Sequence, residues 1–166
     1  MLTFFRVDDR LIHGQIVESW IPAMGINAVL VISDEVYGDP LRQNLLKFAV
    51  PEGILLRISS LDSAADALRQ MQDTDLLTLV LMPSLSEAEA IIEKGIKIPL
   101  LNLGGIIYTA FRNLSAGNAI FISDAEKGIL KSIADHGVRL DCRGVPSDAP
   151  VDVSSVVFAN AGKGGN

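Results

Sequence analysis

Cysteine occurs once in the 166 residues, at Cys142, so no intrachain disulfide can form, and a reducing compartment is the natural setting. Basic residues are outnumbered, 14 Lys and Arg against 20 Asp and Glu, giving a formal charge of −6. A nucleic-acid binder would carry the opposite balance. No apolar run reaches the roughly 18–20 residues of a membrane span, and Arg6 and Asp8 interrupt the N-terminus too early for a signal peptide. Direct membrane insertion is therefore not expected. The chain lacks a P-loop, and no G-x-G-x-x-G follows its first strand, which argues against a nucleotide-binding enzyme. The two histidines, His13 and His136, show no metal-ligand spacing with the acidic residues.

What remains is a chain rich in core material, 49% hydrophobic, with short apolar runs alternating with amphipathic segments. Strands are expected at Leu2–Val7, Ala28–Ile32, Ile54–Ile58, Leu76–Met82, Ile98–Leu103, Ala119–Ile122 and Val138–Arg143, the last with alternating burial. Helices are expected from His13 to Met24, after Pro40, and over Ser60–Gln72 with Leu61, Ala65, Leu68 and Met71 inward. Two more open on Ser–x–x–Glu pairs, Ser84 with Glu87 and Ser123 with Glu126. A further helix is expected over Asp152–Phe158. The alternation implies a single α/β domain over residues 1–158, with a mainly parallel sheet, helices on both faces and a flexible tail at 159–166. In such sheets, ligands meet the carboxyl ends of the strands, so the loop after the first strand is the first place to seek chemistry.

That loop reads RVDDRLIHGQIVESW. It gathers Arg6, Asp8, Asp9, Arg10, His13 and Gln15 at one strand-to-helix junction. His13 falls where the helix begins, and a helix N-terminus favours an anion. Arg10 supplies planar donors suited to phosphate oxygens. A neutral imidazole is a nucleophile near neutral pH, and either Asp8 or Asp9 can hold its other nitrogen. Spacing alone leaves bland readings open: His13 as a cap or surface residue, Arg10 as a weak surface ion pair.

The segment closely resembles the N-terminal active-site stretch of enzyme IIB from the mannose/fructose/sorbose family of the bacterial phosphotransferase system. The resemblance continues through VLVISDEVYGDPLRQNLLKFAVP, the hydroxyl residue after LVLMP, the NLGG turn and VRLDCRGVPSD, over about residues 1–158. It implies that His13 accepts a phosphoryl group from phosphorylated IIA and passes it to a sugar entering through the membrane subunits IIC and IID. Arg10 would be the active-site arginine. Asp9, Gly14, Gln15, Arg6 and Ser84 would lie around the phosphate, with simple N-capping an equal reading for Ser84. No cofactor is required. A cytoplasmic location follows, with attachment to the inner membrane only through IIC and IID. The same nucleophile would also serve a regulatory module whose phosphorylation state is read by a partner.

The family often reads G-G-M-H-F after its two glycines; here Ile107 stands at the histidine position. That bears on sugar choice or partner docking at this edge. Three other residues are read as structural: His136 as a helix C-terminal residue, Cys142 as a buried apolar group, and Trp20 as core.

Overall fold

The computed structural model describes residues 3–105, 107–110, 123–151 and 153. Six strands form one sheet in the order β3-β2-β4-β1-β5-β6, and every pairing is parallel. The strands are β1 Thr3–Val7, β2 Ala28–Ile32, β3 Leu55–Ser59, β4 Thr78–Met82, β5 Leu100–Leu103 and β6 Arg139–Cys142. β2 and β4 are buried at every residue, which is why both read as continuous apolar runs instead of alternating ones.

The helices are α1 Ile21–Met24, α2 Asp34–Tyr37, α3 Pro40–Ala49, α4 Ala64–Gln72, α5 Leu85–Glu93 and α6 Asp124–Asp135. They cover both faces. Ala64, Ala67, Leu68 and Met71 of α4, Leu85, Ala88 and Ile91 of α5, and Leu130 and Ile133 of α6 pack with Phe5, Val7, Val80 and Met82. On the other face Leu11, Ile12, Ile16, Trp20 and Val36 pack with Val29, Val31, Leu79 and Leu81. The expected α/β architecture with a parallel sheet is the one observed.

Several local expectations need correction. α4 starts at Ala64, and its inward stripe is Ala64, Ala67, Leu68 and Met71, so Ala65 is exposed. The residues before it form a turn in which Ser60 Oγ accepts from the Ser63 N–H. β6 does not alternate: Asp141 and Cys142 are both buried, because β6 carries a buried polar group on one face. The short helix α2, capped by Ser33 Oγ on the Val36 N–H, was not expected. Ser123 and Glu126 form a full reciprocal capping box. Ser84 instead accepts from Ser86 N–H and donates to the Glu87 carboxylate. The expected strand at Ala119–Ile122, most of the Asp152–Phe158 helix, the boundary at 158 and the tail at 159–166 lie outside the described residues.

From β1 the chain passes to β2, β3 and β4 on one side of it, then crosses to β5 and β6 on the other. The chain order therefore reverses beside the carboxyl end of β1, the usual place for a site in an open α/β sheet.

Candidate active site

The loop after β1 is pinned from below. Asp8 continues the strand through its N–H to Met82 O, and Leu11 N–H turns back onto Asp8 O. Leu11 adopts φ 55°, a left-handed conformation that costs a branched residue about 1–2 kcal/mol. Burial of Leu11 and Ile12 in the core holds the loop in that shape. His13 follows directly, and its carbonyl accepts the Val17 N–H. Helical backbone begins at Gly14, as the sequence implies. A π-helical turn at Ile16–Trp20 then interrupts it, with Ile21 N–H reaching Ile16 O. Pro22 lies just beyond. It lacks the N–H that a regular turn would need there, so the wider turn is a physical response to proline.

Asp8 is the hub of the site. Its carboxylate is fully buried, as is the side chain of Arg6. Asp8 Oδ2 accepts from Arg6 Nε at 3.2 Å and Nη2 at 2.8 Å. The same oxygen lies 3.0 Å from His13 Nε2. Oδ1 accepts the Arg10 N–H at 3.2 Å, with Arg10 Nε 3.9 Å away. A carboxylate only accepts, so a neutral His13 in this contact would hold its proton on Nε2 and present Nδ1 with a lone pair. Of the two carboxylates considered for this task, Asp8 is the one in contact. The His13 side chain is 14% exposed, and Gly14 and Gln15 beside it are exposed.

Arg6 does not stand where it was expected. It offers no positive charge to the surface. Beyond the two bonds to Asp8, Nη1 donates to Asn102 Oδ1 and to Arg143 O, and Nη2 to Gly144 O. All five N–H groups are thereby used, which leaves no donor for a phosphate. Burial pushes the Arg6 ionisation down, opposed by the adjacent Asp8 charge. The guanidinium also lies 5.0 Å from the centroid of Trp20, which is core as expected and stacks on Phe4. Trp20 Nε1 donates to Gly144 O at 2.8 Å.

Arg10 is the exposed cation of the loop, with a side chain 53% open to solvent and Nη2 donating to Gln15 Oε1 at 3.2 Å. Arg10 and Gln15 are thus joined across the exposed face of the loop that carries His13 and Gly14. Asp9 lies on the other side, where a Cβ at Gly105 would strike its carboxylate. Asp9 and Ser84 line a cleft of about 240 Å³ with Val7, Leu85, Ile107 and Ile129 at its apolar wall. Ser84 is an N-cap here, its hydroxyl proton committed to Glu87. Ile107 is buried in this wall.

Asn102, Asp141 and Arg143 were not singled out from the sequence, and all connect to Arg6. Their signals were polar residues at the ends of apolar strands and their place in the NLGG and VRLDCRGVPSD stretches, neither of which says that they meet Arg6. Cys142 is buried and its thiol is pushed up to about 12, chiefly by burial. His136 closes α6, with Nδ1 2.8 Å from Ser132 O. Among the described residues no cluster of His, Cys, Asp and Glu could hold a metal, and no helix is long and apolar enough to cross a membrane.

Residues 2–164 match the family model described as PTS system sorbose subfamily IIB component. The fructose-specific EIIB component of Bacillus subtilis (strain 168) is 27% identical over 152 residues, covering 92% of this chain and 93% of its own length. The sorbose-specific EIIB component of Klebsiella pneumoniae is 28% identical over 152 residues, covering 92% of each. The crystal structure of the IIBSor domain of the sorbose permease from Klebsiella pneumoniae superposes with a TM-score of 0.79 at 25% identity, covering 97% of this chain and 99% of that one. With a family match over nearly its whole length and the same parallel sheet, this chain belongs to the sorbose subfamily of phosphotransferase-system IIB components.

Proposed function

We propose that His13 carries the phosphoryl group between a phosphorylated IIA protein and a sugar. The observation that carries this reading is the 3.0 Å contact between His13 Nε2 and the buried, Arg6-neutralised Asp8. It leaves Nδ1 as the nucleophilic nitrogen. In the first step the Nδ1 lone pair attacks phosphorus, an N–P bond forms on His13, and the N–P bond to the donor histidine breaks with its electron pair returning to that ring. Asp8 stabilises the positive charge that develops on the His13 ring. In the second step a sugar hydroxyl oxygen attacks phosphorus, the His13 N–P bond breaks, and the hydroxyl proton leaves to a base. Phosphoryl transfer of this kind needs alignment and charge stabilisation more than covalent help.

Arg10 supplies that charge on the solvent side, and the amides at Gly14 and Gln15 add donors at a helix start. Asp9 lines the neighbouring cleft with Ser84, and a place for it beside the phosphate remains part of the proposal. The phosphate-facing role expected for Arg6 is replaced by a supporting one, because its donors are saturated inside the fold. The acceptor sugar is expected to arrive through IIC and IID, with the chain cytoplasmic and held at the membrane only through them. The test is reconstitution with enzyme I, the histidine carrier protein and IIA, followed by mapping of the labelled residue. An acid-labile, base-stable phosphate on His13, lost in His13→Ala, is expected. Undiminished labelling of His13→Ala would overturn the assignment.

A further inference from the structure

Arg6, Asn102 and Asp141 stand in register on three adjacent parallel strands: Arg6 of β1 opposite Asn102 of β5, and Asn102 opposite Asp141 of β6. All three side chains are buried. A buried polar rung running from β1 to the edge strand β6 is costly unless every group is satisfied. Here it is. Asn102 Oδ1 accepts from Arg6 Nη1, and Asn102 Nδ2 donates to Asp141 O at 3.1 Å and to Asp141 Oδ2 at 3.0 Å. Asp141 is in turn held by Arg143, through Nε at 2.9 Å to Oδ1 and Nη2 at 2.7 Å to Oδ2.

The orientation of Asn102 is chemically forced. A guanidinium only donates and a carboxylate only accepts, so the amide can face them one way round. Asn102 thereby does two things. It anchors the guanidinium from the side opposite Asp8, and it stands between Arg6 and Asp141, so that Arg6 pairs with Asp8 and Asp141 pairs with Arg143. An aspartate at this position would draw Arg6 away from Asp8. An aliphatic residue would leave the guanidinium without its lateral anchor.

We propose that Asn102 is a positioning residue for phosphoryl transfer: by fixing Arg6 it fixes Asp8 on His13 Nε2, and so keeps Nδ1 as the nitrogen that accepts the phosphoryl group. This rests on the reading of His13 as the phosphoryl carrier. Asn102 itself touches neither His13 nor the reacting atoms; it acts through two intervening side chains. The tightness of the path supports it. Gly104, two residues on, lies so close to Arg6 that an added Cβ would overlap the guanidinium, so Arg6 has no room to settle in a second position on that side.

The test uses the whole chain with both ring nitrogens of its histidines labelled with 15N; only His13 and His136 contribute, and His136→Gln removes the second signal. In the unphosphorylated wild type, His13 is expected to show the Nε2-protonated tautomer. Asn102→Leu, with circular dichroism confirming the fold, should show a mixed-tautomer signature and accept phosphoryl groups from phosphorylated IIA about tenfold to a hundredfold more slowly. Asn102→Asp, which keeps the shape, is the second variant if the leucine does not fold, and should shift the same ring signals. A folded variant with the wild-type ring signature overturns the proposal, whether its transfer is fast or slow, because slow transfer with an unmoved ring would mean a structural role alone. The ring signature is read before any phosphorylation. It therefore stands even if His13 proves not to be the carrier, which the transfer measurement on the wild type decides separately.

Discussion

Asp8 Oδ2 receives both Arg6 and His13, at 2.8 Å and 3.0 Å, from a position with no solvent access. One carboxylate oxygen thus links the buried cation to the candidate nucleophile. Removing its charge affects both. Asp8→Asn keeps the shape but leaves Arg6 buried opposite a neutral amide. Breaking one partner of a buried pair costs about 3–5 kcal/mol. Urea denaturation should show a loss of that order, and the folded fraction should accept phosphoryl groups more slowly than the wild type. A variant of unchanged stability would mean that the pair is not closed to water.

Arg10 separates binding from folding. Its side chain is half exposed and its contacts are to Gln15 and the rim of Asp8. Arg10→Ala should leave stability within about 1 kcal/mol of the wild type and should strongly slow transfer from phosphorylated IIA. Arg10→Lys should recover only part of the rate, since an ammonium lacks the planar fork. Because Arg6 is internal, electrostatic steering at this loop depends on Arg10. The second-order rate should fall with salt in the wild type, as screening shortens to about 3 Å at 1 M, and less steeply in Arg10→Ala. Equal salt slopes would place the steering charge elsewhere.

Gly104→Ala tests the crowding around Arg6. The added methyl would meet the guanidinium itself, which is tethered by five bonds and cannot swing aside. Overpacking of this kind costs about 1–3 kcal/mol. Thermal unfolding should show it, together with slower phosphoryl acceptance. Gly128→Ala is the control, because a Cβ there meets open space in α6, away from the His13 loop.

Cys142 carries a pH prediction. Burial, the main cause, pushes its thiol up from an ordinary 9.0 to about 12 in the folded chain. The folded state then holds a proton that the unfolded state has released. The stabilisation linked to that proton is complete below about pH 9.0 and is lost as pH rises towards about 12. Cys142→Ala should flatten the alkaline fall in stability over that window. At neutral pH the native thiol should resist alkylation, and denaturant should expose it. Rapid labelling of the native chain would contradict the burial.

The parallel sheet and its two covered faces were legible because continuous apolar strands and capped helices are local signals, and the same signals pointed to the loop after β1 as the candidate site. β2 and β4 declared themselves through AVLVI and LLTLVLM, and Ser123 with Glu126 through its spacing. The part that was not legible is the part made by strand register. Arg6 reads as one more loop-side cation in RVDDR, and nothing local says that β5 and β6 will bring Asn102 and Asp141 beside it, residues 96 and 135 positions away. Ser84 was legible in part: its spacing from Glu87 pointed to an N-cap, and the fold shows that cap with the hydroxyl on Glu87. Which of Asp8 and Asp9 reaches His13 depends on the left-handed turn at Leu11, a conformation that leucine does not announce.

The chain holds one tryptophan, and it lies inside the polar network. Trp20 has the Arg6 guanidinium at 5.0 Å and that of Arg143 at 5.9 Å, with its indole N–H on Gly144 O. Indole emission responds to nearby charge and to the hydrogen bond at its nitrogen. The protein therefore carries its own optical reporter, and the proposed phosphorylation of His13, two side chains away, should be readable from its emission without an added dye.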